Sequence, residues 1–248
     1  MVMQSFSYGE DERQRLDVYS PRSRPRGVMI FDYGGSWRDG SRRYYRFVGS
    51  IFSRRGFVVV IPDYRVFPQV RFPGFMEDAA AAVRWTLDHA DRFGGDADKL
   101  TLMGHSAGAH IGALLLTNPA FLGRHGLVPD VFKRFVGISG PYSFNPLDYQ
   151  STAEIFATAN PIATARPIKN VSGAEPPMLL LHGGEDKTVY PVNTINLARA
   201  VTDAGGRARS IVYPRLGHKG TLLSLVSALR WRAPVLSDID GFVSGDNA

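Results

Sequence analysis

The sequence predicts an α/β protein built on a doubly wound, mostly parallel sheet. Three observations carry that expectation: short runs that are almost wholly apolar, helical patterns between those runs, and a chain of 248 residues, 44% hydrophobic, that can bury a large core. Strands covered by helices on both faces lose the in-out alternation of a half-buried strand, so they read as continuous apolar runs. Such runs stand at residues 27–31, 58–61, 100–103, 135–139, 178–181 and 210–213. Their alternation with helical stretches favours parallel crossover connections. A single domain over residues 1–248 is expected, because no linker, charge block or internal period interrupts the pattern.

Residues 75–93 read as a helix. Val83, Leu87 and Ala90 recur at helical spacing, and Gly94-Gly95 supplies the glycine stop that helix C-termini favour. A second helix is expected over residues 109–117, ended by Asn118-Pro119, and a last one over residues 222–231. The tail from Leu236 to Ala248 suggests no element.

Composition removes several function classes. The chain has no cysteine, which excludes disulfides, thiolate catalysis and thiolate zinc sites together. The six histidines lack metal-ligand spacing, so no metal and no cofactor are expected. A net charge of +6 rests on arginines in short clusters, Arg22/Arg24/Arg26 and Arg42/Arg43, interspersed with acids. That pattern reads as a solvated basic surface rather than a nucleic-acid site. Residues 1–14 are polar and no apolar run approaches the roughly 18 residues of a membrane span, so a soluble, cytoplasmic protein without membrane contact is expected. Homodimer formation is left open.

The chemistry starts from Gly104-His105-Ser106-Ala107-Gly108, a G-x-S-x-G sequence between an apolar run and a helix-like stretch. On a sharp strand-to-helix turn the glycines avoid backbone collisions, and the serine hydroxyl is held outward, which makes Ser106 the candidate nucleophile. A serine hydroxyl is a weak nucleophile at neutral pH. It needs an imidazole to take its proton and a carboxylate to hold that imidazole in the right tautomer. In an open α/β sheet these partners belong at the carboxyl ends of later strands. Asp186 follows the run at 178–181, and His218 follows the run at 210–213, giving the chain order Ser106, Asp186, His218. Glu185 is the rival acid. His105 is expected beneath the turn, His182 as a loop-shaping residue, and His89, His110 and His125 as structural.

Tyr33-Gly34-Gly35-Ser36-Trp37 lies just past the first strong strand, and its paired glycines leave backbone N–H groups bare. Gly35, with Ser36 as a further donor, and Ala107, the residue after the serine, are the expected donors to a tetrahedral oxyanion, with Gly34 part of the same hole. With these pieces in place, residues 16–242 resemble the α/β-hydrolase superfamily, close to hormone-sensitive-lipase-like esterases, feruloyl-esterase-like proteins and kynurenine formamidases. The resemblance includes residues 62–68, Phe72-Pro73 and residues 78–85, where Tyr64, Arg65 and Asp78 are expected to make buried polar contacts. It implies an α/β-hydrolase fold with a small lid insertion at about residues 141–175. It also implies Ser106 as nucleophile, Asp186 as orienting acid, His218 as base, and Gly34, Gly35 and Ala107 as the oxyanion hole. Many relatives carry His-Gly-Gly where this chain has Tyr33-Gly34-Gly35, and Asp32 is unusual at a strand end.

Tyr33, Trp37, Tyr142 and Phe144 are expected to wall an open pocket, with core positions the competing reading for the lid aromatics. The resulting expectation is a serine hydrolase acting on small carboxylic esters with short-chain acyl or aryl groups, through an acyl-enzyme. Its imidazole base implies activity rising through roughly pH 6.5. An aryl-formamidase would use the same residues, and a ligand-binding homologue without catalysis is the alternative from another class.

Overall fold

The computed structural model describes residues 1–245. Its strands, in chain order, are β1 (Val2–Ser7), β2 (Arg15–Ser20), β3 (Gly27–Asp32), β4 (Phe57–Pro62), β5 (Leu100–His105), β6 (Phe132–Ile138), β7 (Met178–Gly183) and β8 (Ala208–Tyr213). They form one sheet in the order β1-β2-β4-β3-β5-β6-β7-β8. From β4 through β8 every neighbouring pair is parallel. All residues of β3, β4, β5 and β7 are buried, which is why those segments carry no in-out alternation.

The two N-terminal strands are the part of the sheet without a sequence signature. β1 pairs antiparallel with β2, and β2 antiparallel with β4. β1 is exposed along nearly its whole length and its apolar residues, Val2, Met3 and Phe6, make no continuous run, whereas β2 buries Leu16 to Tyr19 against the sheet.

The helices are α1 (Arg46–Ser53), α2 (Gly74–His89), α3 (Ala107–Thr117), α4 (Ala120–Gly123), α5 (Gln150–Ala153), α6 (Val192–Asp203), α7 (His218–Leu223) and α8 (Val235–Ser244). The helix expected over residues 75–93 is α2 followed by a 3-10 turn at Ala90–Phe93, stopped at Gly94 with φ 72°. The helix expected over residues 222–231 is corrected. α7 ends at Leu223, extended Val226 breaks the path, a 3-10 turn covers Ser227–Arg232, and the last helix is α8. In α8, Val235, Leu236, Ile239, Phe242 and Val243 are buried at helical spacing, so the tail packs on the body as far as Ser244. Residues 246–248 lie outside the described residues.

The basic-surface expectation is also corrected at one residue. Arg42 is buried, and its guanidinium bonds Asp17 at 2.9 Å through Nε and Asp63 through Nη1. Arg65 pairs with fully buried Asp78 at 2.6 Å, and the Tyr64 hydroxyl donates to the Tyr33 carbonyl, so these three make the buried polar contacts anticipated for them.

Candidate active site

Ser106 occupies the turn between β5 and α3 with φ 54° and ψ −121°. A non-glycine residue at positive φ is strained and persists only where its surroundings over-determine it. Here both glycines of the motif are required. A Cβ on Gly104 would lie 2.5 Å from the Gly108 carbonyl oxygen, and one on Gly108 would lie 2.1 Å from that of Asp32. The Ser106 N–H donates to the Ile138 carbonyl at 2.9 Å, tying the turn to the end of β6.

His218, the first residue of α7, brings its Nε2 to 2.9 Å from Ser106 Oγ and its Nδ1 to 2.7 Å from Asp186 Oδ2. Asp186 Oδ1 accepts from the N–H groups of Thr188 and Val189, each at 2.9 Å. Burial opposes ionisation of this carboxyl, but hydrogen bonds from His182, His218 and Val189 outweigh it and hold the group well below the usual carboxylate range. Glu185 is exposed, and its side chain forms no hydrogen bond or ion pair with His218 among the described residues, where Asp186 is the carboxylate on Nδ1. The Glu185 N–H donates to the Leu216 carbonyl.

The remaining histidines sort by their partners. His105 is buried under the turn, with its Nε2 3.4 Å from the His218 carbonyl oxygen, and burial pushes its pKa down to about 3. His110 sits in α3 with Nε2 donating to the Ala165 carbonyl. His89 stacks on Trp85. His182 is more than a loop-shaping residue: its Nε2 lies 3.2 Å from Asp186 Oδ2 and 2.8 Å from the Val189 carbonyl oxygen. Both neighbours of Nε2 are acceptors, so Nε2 carries the proton and Nδ1 accepts from Thr194 Oγ1 at 2.7 Å. The signal for this was present in the sequence, since His182 and Asp186 bracket one tight loop after β7.

The loop after β3 lies against Ser106, and a Cβ on Gly34 would come within 2.8 Å of Ser106 Cβ. Gly35, Ser36 and Trp37 follow with φ of 152°, 53° and 56°. The N–H groups of Gly35 and Ser36 donate to no acceptor among the described residues, and the N–H of Ala107 is a free donor at the start of α3.

Two cavities meet at Ser106, sharing Ser36 and Thr188. The smaller, about 320 Å³, is walled by Trp37, Phe144, Tyr149, Val189 and Tyr190, with Ala107 at its edge. The larger, about 620 Å³, is walled by Tyr44, Tyr45, Phe47 and Leu223, with His218 at its edge. Trp37 and Phe144 therefore line a pocket and stack on each other at 5.9 Å. Tyr33 and Tyr142 do not line either cavity, which corrects the expectation for both. Tyr33 turns its ring into the core and donates to Asp63 Oδ1 at 2.7 Å. Tyr142 is fully buried under the sheet end, beside Gly137 and Gly140.

The inserted segment covers one side of the smaller cavity and is tied down. Arg38 donates twice to the Ser151 carbonyl, at 3.0 and 3.2 Å, and the Phe72 N–H donates to the Ile155 carbonyl at 2.9 Å. Its Phe156 is a core residue, while Tyr149 is exposed. Among the described residues no group of three or more His, Cys, Asp or Glu side chains is arranged to hold a metal ion, and no helix is long and apolar enough to cross a membrane.

A sheet of this order, with a serine on the strand-to-helix turn at its centre, defines the α/β-hydrolase class. A family model described as the prolyl oligopeptidase family matches residues 74–228, and one described as BD-FAE matches residues 16–125. The chain belongs to the prolyl oligopeptidase family of α/β hydrolases. It is similar to isoprenylcysteine alpha-carbonyl methylesterase ICME of Arabidopsis thaliana, 27% identical over 245 residues, covering 90% of this chain and 57% of that one. Esterase LipC of Mycobacterium tuberculosis is 31% identical over 206 residues, covering 75% of this chain and 51% of its own. The chain thus spans little more than half the length of these relatives. Among solved structures, Thermogutta terrifontis esterase 2 phosphonylated by sarin superposes with a TM-score of 0.85 at 21% identity, covering 98% of this chain and 95% of that one. That likeness shows the fold.

Proposed function

We propose that this protein is a serine esterase that cleaves small carboxylic esters through an acyl-enzyme. The observation that carries the reading is the continuous contact from Ser106 Oγ to His218 Nε2 at 2.9 Å and from His218 Nδ1 to Asp186 Oδ2 at 2.7 Å. In this reading His218 takes the Ser106 proton as Oγ attacks the ester carbonyl, and Asp186 stabilises the imidazolium that forms. The oxyanion is received by the N–H groups of Gly35, Ser36 and Ala107, and a donor of this kind is worth about 2.7 to 4 kcal/mol in the transition state. His218 then protonates the leaving alcohol. Water, activated by the same imidazole, releases the acid and restores Ser106.

The two cavities support an orientation for the ester. The leaving oxygen must reach His218 Nε2, and His218 opens on the larger cavity, so the alcohol belongs there. The acyl group then enters the smaller cavity between Trp37 and Phe144, whose volume of about 320 Å³ suits short or aryl acyl chains. The names of its relatives, which are esterases, agree with this chemistry. The test is turnover of p-nitrophenyl acetate, butyrate and octanoate. The reading expects hydrolysis that favours the short esters and is lost in Ser106→Ala, and full turnover by that variant would defeat it.

A further inference from the structure

Tyr33 opens the glycine loop, and its surroundings give its ring and hydroxyl a role. Three tyrosines from separate parts of the chain stack with Tyr33 in the middle. Its ring lies 5.2 Å from Tyr45 at 10° and 5.0 Å from Tyr64 at 22°. The outer hydroxyls act on the backbone of the glycine loop. Tyr64 donates to the Tyr33 carbonyl at 2.9 Å, and Tyr45 donates to the Gly34 carbonyl at 3.2 Å. In a planar trans peptide the C=O and N–H point in opposite directions. Holding the Tyr33 carbonyl therefore fixes the Gly34 N–H, and holding the Gly34 carbonyl fixes the Gly35 N–H, each aimed away from the stack.

The middle hydroxyl anchors the assembly. Tyr33 donates to Asp63 Oδ1 at 2.7 Å, and the same oxygen accepts from the Arg42 N–H at 2.5 Å. One buried carboxylate thus closes both ends of the segment from residue 33 to residue 42. Arg13 adds a bond from Nη2 to the Gly40 carbonyl at 2.8 Å. Between those anchors Ser36 and Trp37 sit at positive φ, a conformation costing about 1 to 3 kcal/mol per residue that an unrestrained loop would relax. Burial pushes the hydroxyls of Tyr33 and Tyr64 well above the ordinary tyrosine range, and that of Tyr45 upward, so all three remain protonated donors.

We infer that Tyr33, Tyr45 and Tyr64, keyed to Asp63, are positioning residues that aim the Gly35 N–H at the oxyanion; this rests on the esterase reading above. They touch no reacting atom and act through the Gly34–Gly35 peptide. The contribution belongs to the transition state, where charge collects on the carbonyl oxygen, and not to ground-state binding.

Tyr45→Phe is the sharpest test. It removes one oxygen whose hydrogen bond goes to the Gly34 carbonyl, keeps the ring in the stack, and lies on a half-buried residue at the wall of the larger cavity. The expected result is kcat lowered about tenfold, with KM within about twofold and an unchanged melting temperature, because a misdirected donor forfeits part of the 10²- to 10³-fold that a deleted one costs. Affinity for a trifluoromethyl ketone, which forms the oxyanion, should fall in parallel with kcat, while inhibition by the product acid stays level. Tyr33→Phe should lower kcat in the same way, with a loss of stability as well. An active wild type whose Tyr45→Phe variant keeps its kcat and its ketone affinity overturns the positioning role alone. A wild type inert toward every ester overturns the esterase reading beneath it.

Discussion

Replacing Asp32 by Asn should free the fold from a pH-dependent cost. Asp32 ends β3, is 1% exposed, and its Oδ1 has no hydrogen-bond partner among the described residues. Burial lifts its pKa from 3.8 to about 7. In the unfolded chain the carboxyl returns to about 3.9. Between pH of about 4 and about 7 the folded state therefore keeps a proton that the unfolded state releases, and stability must fall as pH rises through that window. At 1.36 kcal/mol per pH unit, the full cost above pH 7 is about 4 kcal/mol. Asp32→Asn keeps the shape and removes the titration. Urea unfolding of both proteins at pH 4, 5.5, 7 and 8.5 should show the variant gaining on the wild type by about 4 kcal/mol across the series, mostly before pH 7. A difference that stays constant with pH would refute the reasoning, since every other titrating group is common to both chains.

Three further outcomes follow from the site. His182→Leu removes a neutral donor from Asp186 Oδ2 and from the Val189 carbonyl, so it should cost about 1 to 3 kcal/mol in urea unfolding. It should also move the acid limb of kcat/KM to higher pH, because a less neutralised carboxylate favours the imidazolium; an unmoved limb would count against the coupling. Gly108→Ala places a methyl 2.1 Å from the Asp32 carbonyl oxygen, where only backbone could yield. A shift of about 1 Å at the serine should lower kcat about 100-fold, measured with p-nitrophenyl butyrate, and near-normal turnover would contradict the packing argument. Phe144→Ala opens the smaller cavity, so the octanoate-to-acetate ratio of kcat/KM should rise; a ratio that falls or holds would put the acyl group on the other side of Ser106.

Much of this architecture is legible in the sequence because burial leaves a mark. The six parallel strands are read from apolar runs; the structure lengthens five of them by one or two residues, and moves the sixth, β6, to start at Phe132 and end before Ser139. β1 is missed because an exposed antiparallel edge needs no continuous apolar run, and β8 shows the same effect in its polar first half. α8 escapes because Pro234 and the turn before it break the pattern, although its own apolar spacing is regular. The contacts among Ser106, His218 and Asp186 follow from motif and chain order, since the loops leaving parallel β5, β7 and β8 all open at the same carboxyl edge of the sheet. What spacing does not disclose is where an aromatic ring points. Tyr33 and Trp37 lie four residues apart on one loop, yet the left-handed backbone at residues 36 and 37 sends Trp37 to the cavity while Tyr33 turns into the core. Arg42 looks like a surface arginine until Asp17 and Asp63, distant in sequence, meet on it.

The central claim is that Ser106 is a nucleophile activated by His218. Intact-mass measurement after treatment with a p-nitrophenyl phosphonate tests it most directly, with the modified residue located by peptide mapping. The account predicts one adduct per chain, on Ser106, formed as ester turnover disappears, and none on Ser106→Ala. A protein that hydrolyses esters while Ser106 stays unmodified, or one labelled equally in Ser106→Ala, would contradict it.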